Sequence, residues 1–340
     1  MVKELPTLQR KLNKAANFNR RKNIRLVNWN NATWQIDGSG RAYNTPTMGG
    51  ELLTNTEFAN NTTGWTAANT ATLTRRDFAS SPNIAPTGGA DNFGLEVTSG
   101  GNTNSLALQN VTLLNGSWYF AGVRAYSPSA NTGTNVADLR VVQPNTITPN
   151  ANTLENTWQP VIATGRATST VGDFRLRASS ATAGDLAYFD APSLKVIVLP
   201  TTLATVAGST NNLTVAAKIN TIITGTQIGV ASLIDNYNNP QNFIIAYHDG
   251  INVRLEKCVS GVYTQLISTA VTFVSNAQIE IRRPSGNTFQ LWYNGVQINT
   301  DQTVSDSEII NNNLYGMFST YSDNLISEFS LGGSVIPFTF

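Results

Sequence analysis

Between Asn242 and Ile267 the chain reads NFIIAYHDGINVRLEKCVSGVYTQLI, with apolar residues recurring in steps of two. That period belongs to β-strands with one face turned to a core. Phe243, Ile245 and Tyr247 precede Asp249-Gly250, a dipeptide that supplies the positive φ of a two-residue hairpin turn. Ile251, Val253 and Leu255 follow it, and Ser260-Gly261 marks the next reversal. The spacing predicts a three-stranded meander with one apolar face. Such a face needs a second sheet to cover it, so the expectation is an antiparallel sandwich.

Similar runs flank this ribbon. Leu213–Ile219, Gln227–Asp235, Ala277–Arg282, Thr288–Tyr293, Leu314–Ser319 and Leu325–Leu331 read as strands, and Asn294-Gly295 is a strong hairpin signal. Upstream, strands are expected at Leu95–Thr98, Ser105–Leu108, Ser117–Tyr126, Ala137–Val142, Pro160–Thr164, Phe174–Ala178 and Leu186–Val198. In the third of these, Trp118, Phe120, Gly122 and Arg124 alternate with Tyr119, Ala121, Val123 and Ala125. It is apolar on both faces near its start, which predicts a central strand. The expected fold is all-β: two tandem antiparallel β-sandwiches of jelly-roll type, over residues 51–198 and 199–332, after a basic and partly helical N-terminal arm.

Residues 1–50 are expected to form that arm and a linker. Pro6 suits a first helical turn, and Leu5, Leu8 and Leu12 recur at helical spacing over residues 6–18. So narrow an apolar stripe does not stand alone in water. Together with Arg20 and Arg21 it is expected to dock on a partner particle or on other copies of the chain. Trp29 and Trp34 need burial too and are assigned to the same anchoring surface, with WQIDGSGRAY as a short hairpin turning at Asp37-Gly38. Residues 333–340 form an apolar tail carrying Val335, Ile336, Phe338 and Phe340, expected to pack on the body or a neighbour.

Composition strengthens the all-β expectation. Only 13% of the 340 residues are charged, well under the roughly 25% of ordinary domains, and Asn, Thr, Ser and Gly take their place. Charge is also uneven. Residues 1–25 hold eight cationic side chains against Glu4, a balance of +7, and the remainder holds 14 basic and 20 acidic residues, a balance of −6. A basic arm invites nucleic acid, but Phe18 is the one aromatic residue among its charges, too little for an interleaved pattern, so docking ranks first. Cys258 is the single cysteine, which excludes an intramolecular disulfide and predicts a free, half-buried thiol. No run is long enough to span a membrane, and the opening residues lack the apolar core of a signal peptide. Synthesis and retention in a cytoplasm until assembly or lysis is expected.

Two resemblances follow from short motifs. Glu51-Leu52-Leu53-Thr54-Asn55, Phe58 and Gly64-Trp65 resemble the opening of jelly-roll carbohydrate-binding modules, and Tyr188-Phe189-Asp190-Ala191-Pro192-Ser193-Leu194 resembles their closing strand. The resemblance implies that these two ends pair in one sheet. It also implies a structural calcium site at Asp190, although the companion acid after Phe58 is Ala59 here, so no cofactor is expected. In residues 210–331, Tyr247-His248-Asp249-Gly250, Leu255-Glu256-Lys257-Cys258, Gly261-Val262-Tyr263-Thr264, Leu291-Trp292-Tyr293-Asn294 and Gly316-Met317-Phe318-Ser319-Thr320 resemble concanavalin A-like, or laminin-G-like, sandwiches of bacteriophage tail and minor virion proteins. That implies a virion location, other virion proteins as partners, and a homo-oligomer such as a trimer.

Catalytic chemistry is poorly provided for. His248 is the one histidine, and it sits beside a turn. Asp306 and Glu308 alternate, but within a polar stretch that reads as a solvated turn rather than a glycosidase pair. No enzyme is expected. Sugar binding is better supplied, because flat aromatic faces flanked by amides suit a ring with an apolar side and a hydroxylated rim. Tyr119 and Trp158 in the first sandwich, and Tyr237, Tyr247 and Trp292 in the second, are the candidates for a host-surface glycan. Trp292 carries most weight because it opposes the apolar phase of Phe289, Leu291 and Tyr293. The expected function is a structural virion protein, in the tail, a fibre or the surface decoration. The alternatives are a decoration protein without a sugar site and a polysaccharide hydrolase with an accessory module.

Overall fold

The computed structural model describes residues 29–30, 33–80, 84, 92–133, 136–142, 147–151 (the backbone alone for 147–150), 153–211 and 213–340. The expected helix over 6–18, with Leu5, Leu8, Leu12, Arg20 and Arg21, lies outside them. What is described is all-β, built from four antiparallel sheets that pack as two sandwiches.

In the first sandwich one sheet orders its strands Ile147–Ala151, Ala137–Val142, Val171–Ala178, Ser105–Thr112 and Thr66–Ala68. The facing sheet runs Gln159–Arg166, Trp118–Tyr126, Ala183–Ile197, Phe93–Gly100 and Thr72–Asp77. Trp118–Tyr126 is paired on both sides, as its two apolar faces predict. The two motif-bearing ends do meet in one sheet. Met48–Glu51 pairs with the closing strand at Lys195↔Glu51, and Leu52 N–H donates to the Leu194 carbonyl.

In the second sandwich the inner sheet orders Leu203–Ala207, Leu314–Ser319, Ile228–Ile234, Phe243–His248, Asn252–Val259 and Val262–Ala270. The outer sheet orders Trp34–Ile36, Ala42–Asn44, Leu325–Leu331, Val215–Thr221, Ala277–Ser285, Thr288–Tyr293 and Val296–Thr303, with Ser334–Ile336 beside Leu325–Leu331.

The ribbon that predicted this sandwich differs in register from its expected form. Asp249 N–H bonds the Asn252 carbonyl, so the two turn residues are Gly250 and Ile251, one place later than Asp249-Gly250. Gly250 alone takes positive φ, +92°, as a type II′ turn requires at its first central position. A two-residue turn at either place sets odd-numbered residues of one strand opposite even-numbered residues of the other, so apolar residues at odd positions on both strands point to opposite faces. Phe243, Ile245 and Tyr247 therefore share a face with Cys258, Glu256 and Arg254, opposite Val253 and Leu255. Val253 and Leu255 fill the core of their own sandwich; Phe243, Ile245 and Tyr247 face the other one. Ser260-Gly261 and Asn294-Gly295 do occupy two-residue turns with positive φ at both positions.

The first sandwich supplies that second cover. Trp118 projects from the outer face of its sheet and packs on Tyr247 and Phe318, at ring separations of 5.8 and 5.4 Å. Phe120 stacks on Tyr321, and Ile197, Leu203, Ile234 and Phe243 complete a shared core. Cys258 is fully buried in this layer rather than half-buried, and burial pushes its thiol up to about 12. Hydrogen bonds cross the seam as well. Thr164 N–H donates to the Gly225 carbonyl at 2.7 Å, and Gln227 Nε2 donates to the Thr164 carbonyl at 2.9 Å. An interface with this much apolar burial holds two domains as one body.

Residues 34–50, expected in the arm and linker, are stitched into both sandwiches. The hairpin at Asp37 forms, pairing Trp34 with Asn44, and its second strand joins the outer sheet at Ala42↔Ile326.

Candidate functional site

The five aromatic candidates separate by what encloses them. Tyr119 points into the core of the first sandwich, 2% exposed, where its hydroxyl accepts from Leu114 N–H at 2.7 Å. Tyr247 is 5% exposed in the seam between the sandwiches. Its hydroxyl donates to Glu256 Oε1 at 3.1 Å, and burial beside that carboxylate holds the phenol well above its ordinary range. Neither ring has a face to offer a ligand. The expectation fails because each alternating set is apolar and each is covered, one by its own sandwich and one by the other.

Trp158 belongs to a small aromatic cluster on the outer face of the first sandwich. Its ring meets Phe78 and Tyr126 at 5.1 and 5.5 Å, and its Nε1 donates to the Ile84 carbonyl. Tyr188 completes the cluster, pushed up to about 12 by burial and by Glu96, whose carboxylate takes a bidentate grip from Arg76 at 2.8 Å. These rings serve one another as a satellite core. Tyr237 is 43% exposed, on a loop tied down by Asp235, whose carboxylate accepts from the N–H groups of Asn236 and Gln241 and from Asn242 Nδ2.

Trp292 is different. It lies half-buried on the solvent side of the outer sheet, because Phe289, Leu291 and Tyr293 take the core side of the same strand. The guanidinium of Arg282 sits 3.8 Å from the centre of the ring and donates to Glu280 at 2.7 Å. Trp292 Nε1 donates to Gln290 Oε1 at 3.0 Å, Gln290 Nε2 donates to Asp301 at 2.9 Å, and Gln297 Nε2 donates to the same carboxylate oxygen at 2.8 Å. An indole is thus framed by amides and carboxylates held in place by one another. Such a group presents apolar carbon and fixed hydrogen-bonding atoms side by side, the requirement for a neutral polyhydroxylated ring.

Part of this frame was readable. The Asn294-Gly295 turn places Gln297 opposite Trp292, as observed. Asp301 was not, because the register shifts between Phe289 and Leu291. Glu280 and Arg282 come from the preceding strand, where a second shift lies between Arg282 and Ser285.

Asp190 lies buried at a bulge in the closing strand, opposite Arg124. Among the described residues no three of His, Cys, Asp and Glu come together as metal ligands. His248 is enclosed between Phe273 and Tyr293, and Asp306 binds Lys257 at 2.7 Å. Trp29 and Trp34, assigned to the anchoring surface, are used within the chain instead. Trp34 is 3% exposed in the core of the second sandwich, and Trp29 packs on Phe329, Phe338 and Phe340 while donating to the Pro337 carbonyl at 3.1 Å. The tail covers them, so they have little to give a neighbour. No helix of the described residues is long and apolar enough to cross a membrane.

No family model matches the chain, and no curated protein matches it. Among solved structures, it is similar to the N-terminal CBM22-1-CBM22-2 tandem domain of Paenibacillus barcinonensis Xyn10C, at 10% identity and TM-score 0.36, over 85% of this chain and 98% of that one. It is similar to the C-terminal family 22 carbohydrate binding module of Clostridium thermocellum Xyn10B, at 17% identity and TM-score 0.33, over 48% of this chain and 98% of that one. The carbohydrate binding module CBM66 from Bacillus subtilis follows at 13% identity and TM-score 0.31, over 38% and 82%. At these scores the likeness carries no argument about what this chain binds.

Proposed function

We propose that the chain is a non-catalytic structural protein of a tailed-bacteriophage virion, in which two fused sandwiches form one rigid unit and offer a glycan-binding face at Trp292. The observation that carries the binding reading is the framed indole on an otherwise polar sheet face: Arg282, Gln290, Gln297 and Asp301 hold fixed hydrogen-bonding atoms around a half-buried indole. The rigid seam supports a display role, since a repeated unit gains avidity from weak sites when its geometry lets several engage at once. The virion setting rests on the sequence resemblance of residues 210–331 and on the +7 charge of residues 1–25. With Trp29, Trp34 and the tail satisfied internally, mooring falls to the residues before them. A non-catalytic role agrees with the enclosure of His248 and the pairing of Asp306 with Lys257.

The test is a glycan array probed with the full chain and with Trp292→Ala. Binding by the wild type that drops about tenfold or more in the variant supports the reading. A parallel deletion of residues 1–25 should remove the protein from particles. A second reading, a decoration protein without a sugar site, is favoured by the burial of Tyr119 and Tyr247. A blank array together with loss from particles on deletion would select it.

A further inference from the structure

A second surface owes nothing to Trp292. Where the two sandwiches meet, a cleft of about 400 Å³ opens beside the seam. That volume is at the lower end of the roughly 300–1,000 Å³ of small-ligand sites. Half-buried Tyr263 lines it, backed by the buried Trp118, whose Nε1 donates to the Tyr263 hydroxyl at 3.2 Å. Ile197, Leu199 and Val262 add apolar wall.

The polar part of the lining is amide and hydroxyl throughout. Asn115, Ser117, Gln241 and Ser260 contribute it, and among the described residues no ionisable carboxylate, ammonium, guanidinium or imidazole lines the cleft. Gln241 is held by its own Nε2, which donates to Asn239 Oδ1 at 3.1 Å and to the Pro240 carbonyl at 3.0 Å. That fixes the amide and leaves Oε1 beside Gly261, where an added Cβ would stand 2.9 Å away.

The cleft exists because two glycine turns, one from each sandwich, approach closely. Gly116 has φ +83° and Gly261 φ +78°, and a Cβ on Gly116 would meet the Gly261 carbonyl at 3.1 Å. Neither sandwich makes the site alone.

We propose that this cleft binds a neutral sugar ring. A lining without charge gives a phosphate, a carboxylate or an amine nothing to repay its lost hydration. Aromatic and aliphatic wall beside fixed amides and hydroxyls suits a solute with one apolar face and several hydroxyls. The chemistry matches that proposed at Trp292, but the residues are separate, so either site can fail while the other stands.

The experiment is saturation-transfer NMR on the full chain with methyl α-D-glucopyranoside, D-galactose and N-acetyl-D-glucosamine as probes, and D-glucuronate as the charged control. Val262→Trp is the blocking variant; Val262 is 68% exposed at the mouth, so a larger side chain there fills the cleft without entering a core. Gln241→Ala removes the fixed acceptor, and Trp292→Ala reports on the other site. The expected result is transfer to a neutral probe that falls about tenfold with V262W, falls with Q241A and is retained in W292A, with none to glucuronate. Absence of transfer from every neutral probe, transfer that V262W leaves intact, or equal transfer to glucuronate would overturn the proposal. Loss in W292A alone would assign all binding to the outer sheet.

Discussion

Arg166 of the first sandwich grips Glu256 of the second inside the seam. Nη1 approaches Oε2 at 2.5 Å and Nη2 approaches Oε1 at 3.3 Å, with Tyr247 donating to Oε1 from the other side. The guanidinium also lies 3.9 Å from the centre of the Tyr263 ring. Burial works against the charge on Arg166, and the attraction and hydrogen bonds of Glu256 more than offset it, leaving the guanidinium harder to deprotonate than usual.

Removing one partner of so enclosed a pair strands the other charge. Arg166→Met should therefore destabilise the chain by about 3–5 kcal/mol, whereas R166M combined with Glu256→Gln should recover much of the loss. Urea unfolding followed by tryptophan emission checks this. In the single variant the seam should open first, splitting one transition into two. A single variant as stable as the wild type would mean that the pair does not hold the sandwiches together.

How much of this was legible follows from how far apart the partners lie in the chain. Alternation and turn dipeptides gave the strands and three hairpins, because those depend on neighbours two to ten residues away. The Asp249-Gly250 assignment failed by one residue, since either that pair or Gly250-Ile251 satisfies the preference for glycine in a tight turn. The seam was hidden by parity rather than by that slip: a two-residue turn at either position sets odd-numbered residues opposite even-numbered ones, so Tyr247 and Val253 lie on opposite faces, and Tyr247 meets Trp118, which is remote in sequence. Trp292 was legible because its phase opposed its neighbours, and Tyr119 was not, because its strand is apolar on both faces.

His248 predicts a pH dependence of stability. Its ring is fully buried, with Nδ1 accepting from Gly250 N–H at 2.9 Å, so the neutral form carries its proton on Nε2. Burial lowers its pKa below the ordinary 6.5, and nearby Asp249 and the Val271 carbonyl only partly oppose that. Below 6.5 the unfolded chain takes up a proton that the folded chain refuses. Stability should be full above that value and decline as pH falls through it toward the lowered folded value. Asp249, itself lowered, adds its loss only on acidification below 3.8, so the two windows are distinct. Urea midpoints at about pH 8 and about pH 5 check this, with His248→Gln flattening the difference. An unchanged slope in the variant would assign it elsewhere.

The tail makes the last prediction. Phe338 and Phe340 stack with ring centres 5.8 Å apart and both lean on Trp29, which in turn meets Phe329 at 5.2 Å. Residues 337–340 therefore cap an aromatic group that would otherwise face water. Deleting them leaves Trp29, Phe329 and Ile336 as a contiguous apolar surface, and a patch of that kind drives association. Tryptophan emission should shift to the red, and light scattering should show self-association that rises with concentration. If instead the tail is the contact between copies, its deletion would turn an oligomer into a monomer. The opposite signs of those two outcomes separate a cap from an interface, and the packing of Trp29 against its own chain favours the cap.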